Sequence, residues 1–260
     1  VTSGGTTTLE NVTLLSNYSG LYVCQLSNAV IVAVNVEADT MIKGGKYGVK
    51  LDAPKSIASA APEVTLNVNG GTITGTTAGV HANSPSSGKK GTVNINIASG
   101  IVGGVTAVTN NENQPVNLGI TGGKIEGILS DVGNKSTIAV SGGTFTNPVD
   151  PSYCANGYTP VKNTDGTYGV DIVKVAQLGE VKYATLEEAF ANAKDGDVVE
   201  LLADCNGNGI VVLANRFTEQ GLIVDFGNHT YSVGGVLVGS ATTGTNAFQL
   251  NVGNIITFQN

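Results

Sequence analysis

The sequence predicts an all-β chain, a right-handed parallel β-helix (β-solenoid) with one short amphipathic capping helix near 186–194 and a β-hairpin near 158–170. Three observations predict it. A glycine-cornered apolar pattern recurs along the first 147 residues, and internal repetition at a spacing of tens of residues is the mark of stacked repeat units. The chain holds 36 glycines and only 13% charged residues, roughly half the charge of an ordinary globular domain. One isolated stretch of helical periodicity follows the repeats and opens on a capping signal.

The repeat reads apolar-x-apolar-x-Gly/Ser-Gly-x-apolar. It occupies residues 66–73, 95–102, 118–125 and 138–145, whose starts lie 29, 23 and 20 residues apart. Weaker relatives cover 34–42 and 9–15. Val64, Leu66 and Val68 alternate with Thr65 and Asn67, which is the period of a half-buried strand. Gly70 and Gly71 permit a sharp corner, because glycine reaches positive φ without a steric penalty. Ile73 then faces inward on the next side. The following coils repeat the arrangement with Val93, Ile95, Ile97 and Val102, then Val116, Leu118, Ile120 and Ile125, then Ile138, Val140 and Phe145. A unit this short cannot bury its apolar side alone; stacking units in register buries one continuous column. Asn67, Asn96, Gly119 and Ala139 fall at matching outward positions. Polar stretches at 85–91 and 110–115 and an irregular one at 55–62 read as loops protruding from the stack; in a binding protein they are its most variable surface.

Past residue 147 the pattern changes, and the chain divides into 1–147 (parallel β-helix coils, first block), 148–172 (linker and β-hairpin) and 173–260 (capping helix and start of a second block). Pro148 and Pro151 break the coil. Residues 158–161 and 167–170 flank a turn at Asn163–Gly166, where the Asp-Gly pair supplies positive φ. An extended segment covers 172–181. The helix follows: Thr185 is its N-cap, Glu188 lies three residues on as in a capping box, and Leu186, Ala189, Phe190 and Ala193 form one apolar face. Gly196 sits where a C-terminal cap is expected. Strands resume at 198–202, 210–213 and 222–226. A helix at this point covers the apolar end and open edge of a new block.

These residues carry a resemblance. Gln177 to Asp204, with the capping helix at its centre, resembles the capping segment of pectin-lyase-like β-helix surface proteins of gut bacteria and their phages. Residues 138–145 followed by 157–168 resemble the motif that closes a block in those proteins. The resemblance spans 138–204, with weaker similarity in the coils on both sides. It implies an architecture, and the fold hosts lyases, hydrolases, adhesins and virion spikes, so it implies no single activity.

A catalytic constellation is not expected. By the resemblance, sugar lyases of this fold use a basic proton abstractor and carboxylate clusters that hold calcium; here Arg216 is the only arginine and lies in a loop-like stretch. Hydrolysis needs carboxylates facing one cleft. Asp195 and Asp197 form the nearest pair and read as helix-end capping, while Asp225 lies mid-strand and faces outward alone. His81 and His229 read as surface or turn residues. Glycine pairs never form a phosphate-binding loop between strand and helix. Cys24, Cys154 and Cys205 lack the paired spacing of a zinc site and read as free or buried thiols, with Cys154–Cys205 the one bridge to consider. No catalytic, cofactor-binding or metal-ligating residue is assigned, and no cofactor is expected.

Charge and hydropathy exclude two partner classes. Net charge is −7 with no basic stripe, which disfavours nucleic acid; Lys89 and Lys90 read as a loop tip. No run of 18 apolar residues exists to span a membrane. Four Asn-x-Ser/Thr sites, at Asn11, Asn17, Asn134 and Asn228, receive no glycosylation assignment. Glycan sites often stack sugars on exposed rings, and with no tryptophan present the candidate ligand surface is Tyr18, Tyr22 and Tyr47, one or two coils apart.

The expected function is a non-catalytic extracellular structural or binding module, an adhesin-like surface stalk or virion fibre component, placed on a cell surface or virion, with a host glycan or surface protein as partner. Two alternatives stand beside it: a polysaccharide-active, pectate-lyase-like enzyme, and a filament subunit stacking head-to-tail through open solenoid ends. Those uncapped ends also point to a continuation of the chain in a longer protein or to a homo-oligomer.

Overall fold

The computed structural model describes residues 5–24, 31–53, 63–83, 91–111, 114–239, 244 and 246–260. The loop expected at 55–62, and most of that at 85–91 with Lys89 and Lys90, lie outside these residues. Among the described residues the protein is all-β with parallel sheets and one short α-helix, in two compact units, Val1–Asp171 and Ile172–Asn260.

In the first unit, six strands form one sheet in the order Gly5–Leu9, Ile31–Val36, Glu63–Val68, Thr92–Ile97, Val116–Ile120 and Thr137–Val140. Every neighbouring pair is parallel. Between these strands the chain visits a second sheet through Thr13–Ser16, Met41–Gly44, Thr72–Gly75, Ile101–Asn110, Lys124–Ser130 and Thr144–Phe145, also parallel. A third row, Ser19–Cys24, Tyr47–Asp52 and Ala78–Asn83, joins it at Ile101–Asn110. Each pass of the chain therefore meets the previous pass in the same order.

Alternation in the sequence sets which side is buried. Val34, Leu66, Ile95, Leu118 and Ile138 align in register across the first sheet, and the first four are buried. Ile42, Ile73, Val102, Ile125 and Phe145 align across the second and are all buried. Each such side chain contributes about 1.5–3 kcal/mol when removed from water. Gly71, Gly100, Gly123 and Gly143 turn the corner between the sheets with φ from +69° to +98°. On the outer side, Asn67 Nδ2 donates to Asn35 Oδ1 at 2.8 Å and Asn96 Nδ2 to Asn67 Oδ1 at 2.9 Å, so Asn35, Asn67 and Asn96 form an amide ladder, which the outward Gly119 and Ala139 do not continue.

A second glycine position repeats in the third row. Gly20, Gly48 and Gly79 occupy successive strands. A Cβ on Gly48 would lie 2.6 Å from Gly79 O and 2.7 Å from Ile73 Cγ2; on Gly79 it would lie 2.8 Å from Ala107 O and from Val102 Cγ1. The absence of a side chain lets the third row close against the apolar column of the second sheet.

Of the loop expected at 110–115, residues 112 and 113 lie outside the described residues, and Asn110 and Gln114 do not protrude. Asn110 and Gln114 are buried. Asn110 Nδ2 reaches Gln114 O at 2.8 Å, Asp131 Oδ1 at 2.8 Å and Ser136 Oγ at 3.1 Å, and Gln114 Nε2 donates to Gly91 O at 3.1 Å. Buried polar groups demand partners; the two amide nitrogens find theirs in backbone carbonyls, Asp131 and Ser136, while Gln114 Oε1 is buried without one. The hairpin of Tyr158–Lys162 and Tyr168–Ile172 ends this unit; Tyr168 pairs antiparallel with Phe145. Tyr153, Tyr168 and Val170 pack on the core there.

In the second unit, Val198–Leu201, Leu222–Asp225 and Ile256–Gln259 pair in parallel, as do two shorter pairs, Cys205–Gly207 with Tyr231–Val233 and Ile210–Val212 with Phe248–Leu250. The segment expected as one extended run at 172–181 instead contributes Ala176–Leu178, which runs antiparallel to Val181–Tyr183 and to Val198–Leu201. The helix spans Leu186–Asn192, with Glu188 N donating to Thr185 Oγ1 at 3.1 Å and Leu186, Ala189 and Phe190 buried. It stops two residues short of Lys194, and the cap is not Gly196. Arg216 Nη2 donates to Phe190 O at 2.7 Å and to Ala191 O and Ala193 O at 2.9 Å. A guanidinium satisfies the last carbonyls and opposes the negative end of the helix dipole. Among the described residues no helix is long and apolar enough to cross a membrane.

Candidate functional site

The third row of strands carries the site. Its parallel register places Tyr22 beside Lys50, Lys50 beside His81, and His81 beside Thr109. Tyr18 precedes this row and Lys46 and Tyr47 enter it one pass later. Tyr18 O accepts from both Lys46 N (2.8 Å) and Tyr47 N (2.9 Å), and Lys46 O accepts from Thr77 N (2.9 Å). The backbone of Lys46 is thus clamped between the passes before and after it.

The sequence-predicted tyrosines divide. Tyr18 and Tyr47 come together, with ring centroids 5.7 Å apart at 86°. Tyr47 then stacks on His81, centroids 4.5 Å apart and planes within 9°. Tyr22 belongs to a different arrangement: its hydroxyl donates to Asp52 Oδ2 at 2.5 Å. Asp52 is almost fully buried, accepts from Asn83 Nδ2 at 3.0 Å, and lies 3.5 Å from Lys50 Nζ. Tyr18 and Tyr22 are 54% and 53% exposed, so these two rings are the ones open to a ligand, while Tyr47 and His81 hold each other in place.

Two ammonium groups lie over the rings. Lys46 Nζ is 5.4 Å from the Tyr18 centroid and 5.0 Å from that of Tyr47; Lys50 Nζ is 5.1 Å from that of Tyr22. Cations at this distance are attracted by the ring quadrupole. Hydrogen bonding to Tyr47, followed by the charges of Tyr47 and Tyr18, raises the Lys46 pKa, so the ammonium stays charged. Burial, then the neighbouring Lys50 charge, lowers the His81 pKa against the opposing pull of Asp52. Its Nδ1 is enclosed without a hydrogen-bond partner, as suits a neutral imidazole packed between polar strands. The Tyr22 hydroxyl is pushed up, first by burial and then by its hydrogen bond to Asp52; the ring is exposed but its hydroxyl reaches down onto the buried carboxylate.

His81 corrects the sequence expectation. It is neither a turn residue nor an isolated surface one, but lies inside Ala78–Asn83 at the centre of the site. A signal for it exists in the sequence: 19–24, 47–52 and 78–83 share the pattern x-Gly-apolar-x-apolar-x, and aligning them sets Tyr22, Lys50 and His81 in one row.

The carboxylates weighed for chemistry are engaged in structure. Asp195 accepts from the backbone N–H groups of Glu219 (3.2 Å), Gln220 (2.8 Å) and Gly221 (3.1 Å), which lower its pKa. Asp197 Oδ2 accepts from Lys194 N at 2.7 Å. Asp225 is not alone: it accepts from Gln259 Nε2 at 2.7 Å and Gly227 N at 2.9 Å. Arg216 caps the helix, and His229 lies 3.7 Å from the exposed Asp204. Cys24, Cys154 and Cys205 are free, half-buried thiols; burial raises the pKa of Cys154 and Cys205, which keeps both in the unreactive thiol form. Among the described residues no three His, Cys, Asp or Glu side chains converge as metal ligands would.

Comparison of the chain with protein-family models, with curated proteins and with solved structures gave no match in any of the three.

Proposed function

We propose that the chain is a right-handed parallel β-helix of the pectin-lyase-like kind, working outside the cell on a cell surface or virion as a non-catalytic binding module, with saccharide taken on the Tyr18, Tyr22 and Lys46 face. The observation that carries this reading is the juxtaposition of two half-exposed tyrosine rings with ammonium groups 5.1–5.4 Å from their centroids, on a backbone fixed by neighbouring strands. Saccharide recognition combines an apolar ring surface with fixed polar donors, and rigid strands hold both at low entropic cost. In-register parallel pairing from Gly5–Leu9 to Thr137–Val140 supports the helical winding. The non-catalytic reading draws support from Asp52, Asp195, Asp197 and Asp225, whose oxygens are committed to hydrogen bonds within the fold.

Incubating the intact chain with neutral and acidic polysaccharides tests this. Retention of at least one polysaccharide with no release of shorter products is expected. Sustained turnover that disappears on changing a single carboxylate would overturn the non-catalytic assignment.

A further inference from the structure

We infer that the saccharide taken by this face is anionic, a chain bearing carboxylate or sulfate groups, engaged by Lys46 with Lys50 in support; this rests on reading the face as a saccharide site. The chain as a whole carries a net charge of −7, yet this face is locally positive. Lys46 and Lys50 both lie over its rings. The acidic side chain in the face, Asp52, is buried and already accepts from Tyr22 and Asn83 and pairs with Lys50. What reaches solvent is the Lys46 ammonium and two tyrosine rings.

Lys46 has no carboxylate within ion-pair distance among the described residues. Its side-chain partners are Tyr18 and Tyr47, which carry no carboxylate and leave its positive charge uncompensated for an anion. Electrostatics are decided locally, because the screening length at physiological salt is about 8 Å; the acidic remainder of the chain does not cancel a cation at this range. Both cations are lysines, point charges without the forked geometry that selects planar carboxylate over other anions. The site therefore recognises charge, and carboxylate and sulfate esters share that chemistry. Two cations are too few for the counterion release that drives binding to nucleic acid, whereas a ring floor beside one or two cations suits a sugar with a single charge per residue.

Titration of the intact chain with three oligosaccharides tests the inference: hyaluronan (carboxylate), carrageenan (sulfate) and cellohexaose (neutral). One or both charged probes are expected to bind, cellohexaose at least tenfold more weakly, with charged binding falling as salt is raised from 50 to 500 mM. Lys46→Gln, at a half-buried side chain without an ion pair, is expected to weaken charged binding about tenfold, the equivalent of about 1.4 kcal/mol, with little change in melting temperature. The difference between the hyaluronan and carrageenan arms identifies the anion. Equal binding of cellohexaose, unaffected by Lys46→Gln but lost in Tyr18→Ala, would overturn the anionic assignment and keep the saccharide face. Absence of binding in all three arms at millimolar concentration would overturn both.

Discussion

Tyr47 and His81 stack face to face across two parallel strands, their ring centroids 4.5 Å apart and their planes within 9° of parallel. The two are not register partners, since Tyr47 lies opposite Ala78 and His81 opposite Lys50; the small side chain of Ala78 lets the Tyr47 ring reach along the row to the imidazole. The stack excludes water from one face of the imidazole, and Lys50 and Lys46 add positive charge nearby.

A pH dependence follows from this environment. The His81 pKa is lowered in the folded chain relative to about 6.5 when unfolded. The unfolded state therefore binds the proton more readily, and stability is full above pH 6.5 and declines as pH falls through the folded value. Urea midpoints measured from pH 8 to pH 4 are expected to show this decline in the parent chain and a shallower one in His81→Asn. An identical slope in both would contradict the assignment.

The two glycine environments predict opposite tolerances. At Gly48 an added Cβ would meet Gly79 O at 2.6 Å, whereas at Gly119 the nearest atom is Asn96 Oδ1 at 3.5 Å. Gly48→Ala is expected to destabilise by about 1–3 kcal/mol through overpacking against backbone. Gly119→Ala is expected to stay within about 0.5 kcal/mol of the parent. Thermal melts of the two variants check the contrast.

Arg216 makes a prediction for the second unit. Its guanidinium serves three carbonyls at the end of Leu186–Asn192. Arg216→Ala is expected to destabilise this unit by about 1.5–3 kcal/mol, the range for hydrogen bonds to a charged group. Arg216→Lys keeps the charge but not the fork, and is expected to recover part of the loss. Hydrogen exchange of the Phe190 to Ala193 amides reads the effect locally.

The Tyr22–Asp52 pair can be titrated directly. Burial and the hydrogen bond to Asp52 raise the Tyr22 pKa. In Asp52→Asn the charge is gone, and Tyr22 is expected to titrate nearer to the usual value of about 10. Ultraviolet difference titration against Tyr22→Phe isolates this hydroxyl. No downward movement in Asp52→Asn would show that the carboxylate does not hold it.

Much of the first unit was legible because one physical rule governs it. Alternation marks Val64, Leu66 and Val68 as inward, and Gly71 marks a corner only glycine turns easily, so the sheet register could be read by aligning repeats. The third row was harder. Gly48 and Gly79 stand singly rather than in pairs, and their role comes from the close approach of Ile73 and Val102, which no local pattern announces. His81 escaped for the same reason, since its neighbours Tyr47 and Lys50 lie more than thirty residues earlier in the chain. The sequence groups Tyr18, Tyr22 and Tyr47 as one ladder, whereas only Tyr18 and Tyr47 meet and the Tyr22 hydroxyl is drawn to Asp52. In the second unit the capping box at Thr185 was plain, while the helix end depended on Arg216, a contact between residues more than twenty apart. Buried polar partners such as Asn110 and Gln114 read as loop because polarity alone does not reveal that a network closes around it.

Successive passes of the chain lying side by side in parallel register underlie both the core and the ligand face. Methyl and backbone nuclear Overhauser contacts at Ile95 measure this directly. Cross-peaks from Ile95 to Leu66 on one side and Leu118 on the other, with the inter-strand pattern of parallel pairing, are the predicted result. Close Hα–Hα contacts of antiparallel neighbours at Ile95, or its proximity to only one of the two leucines, would contradict it.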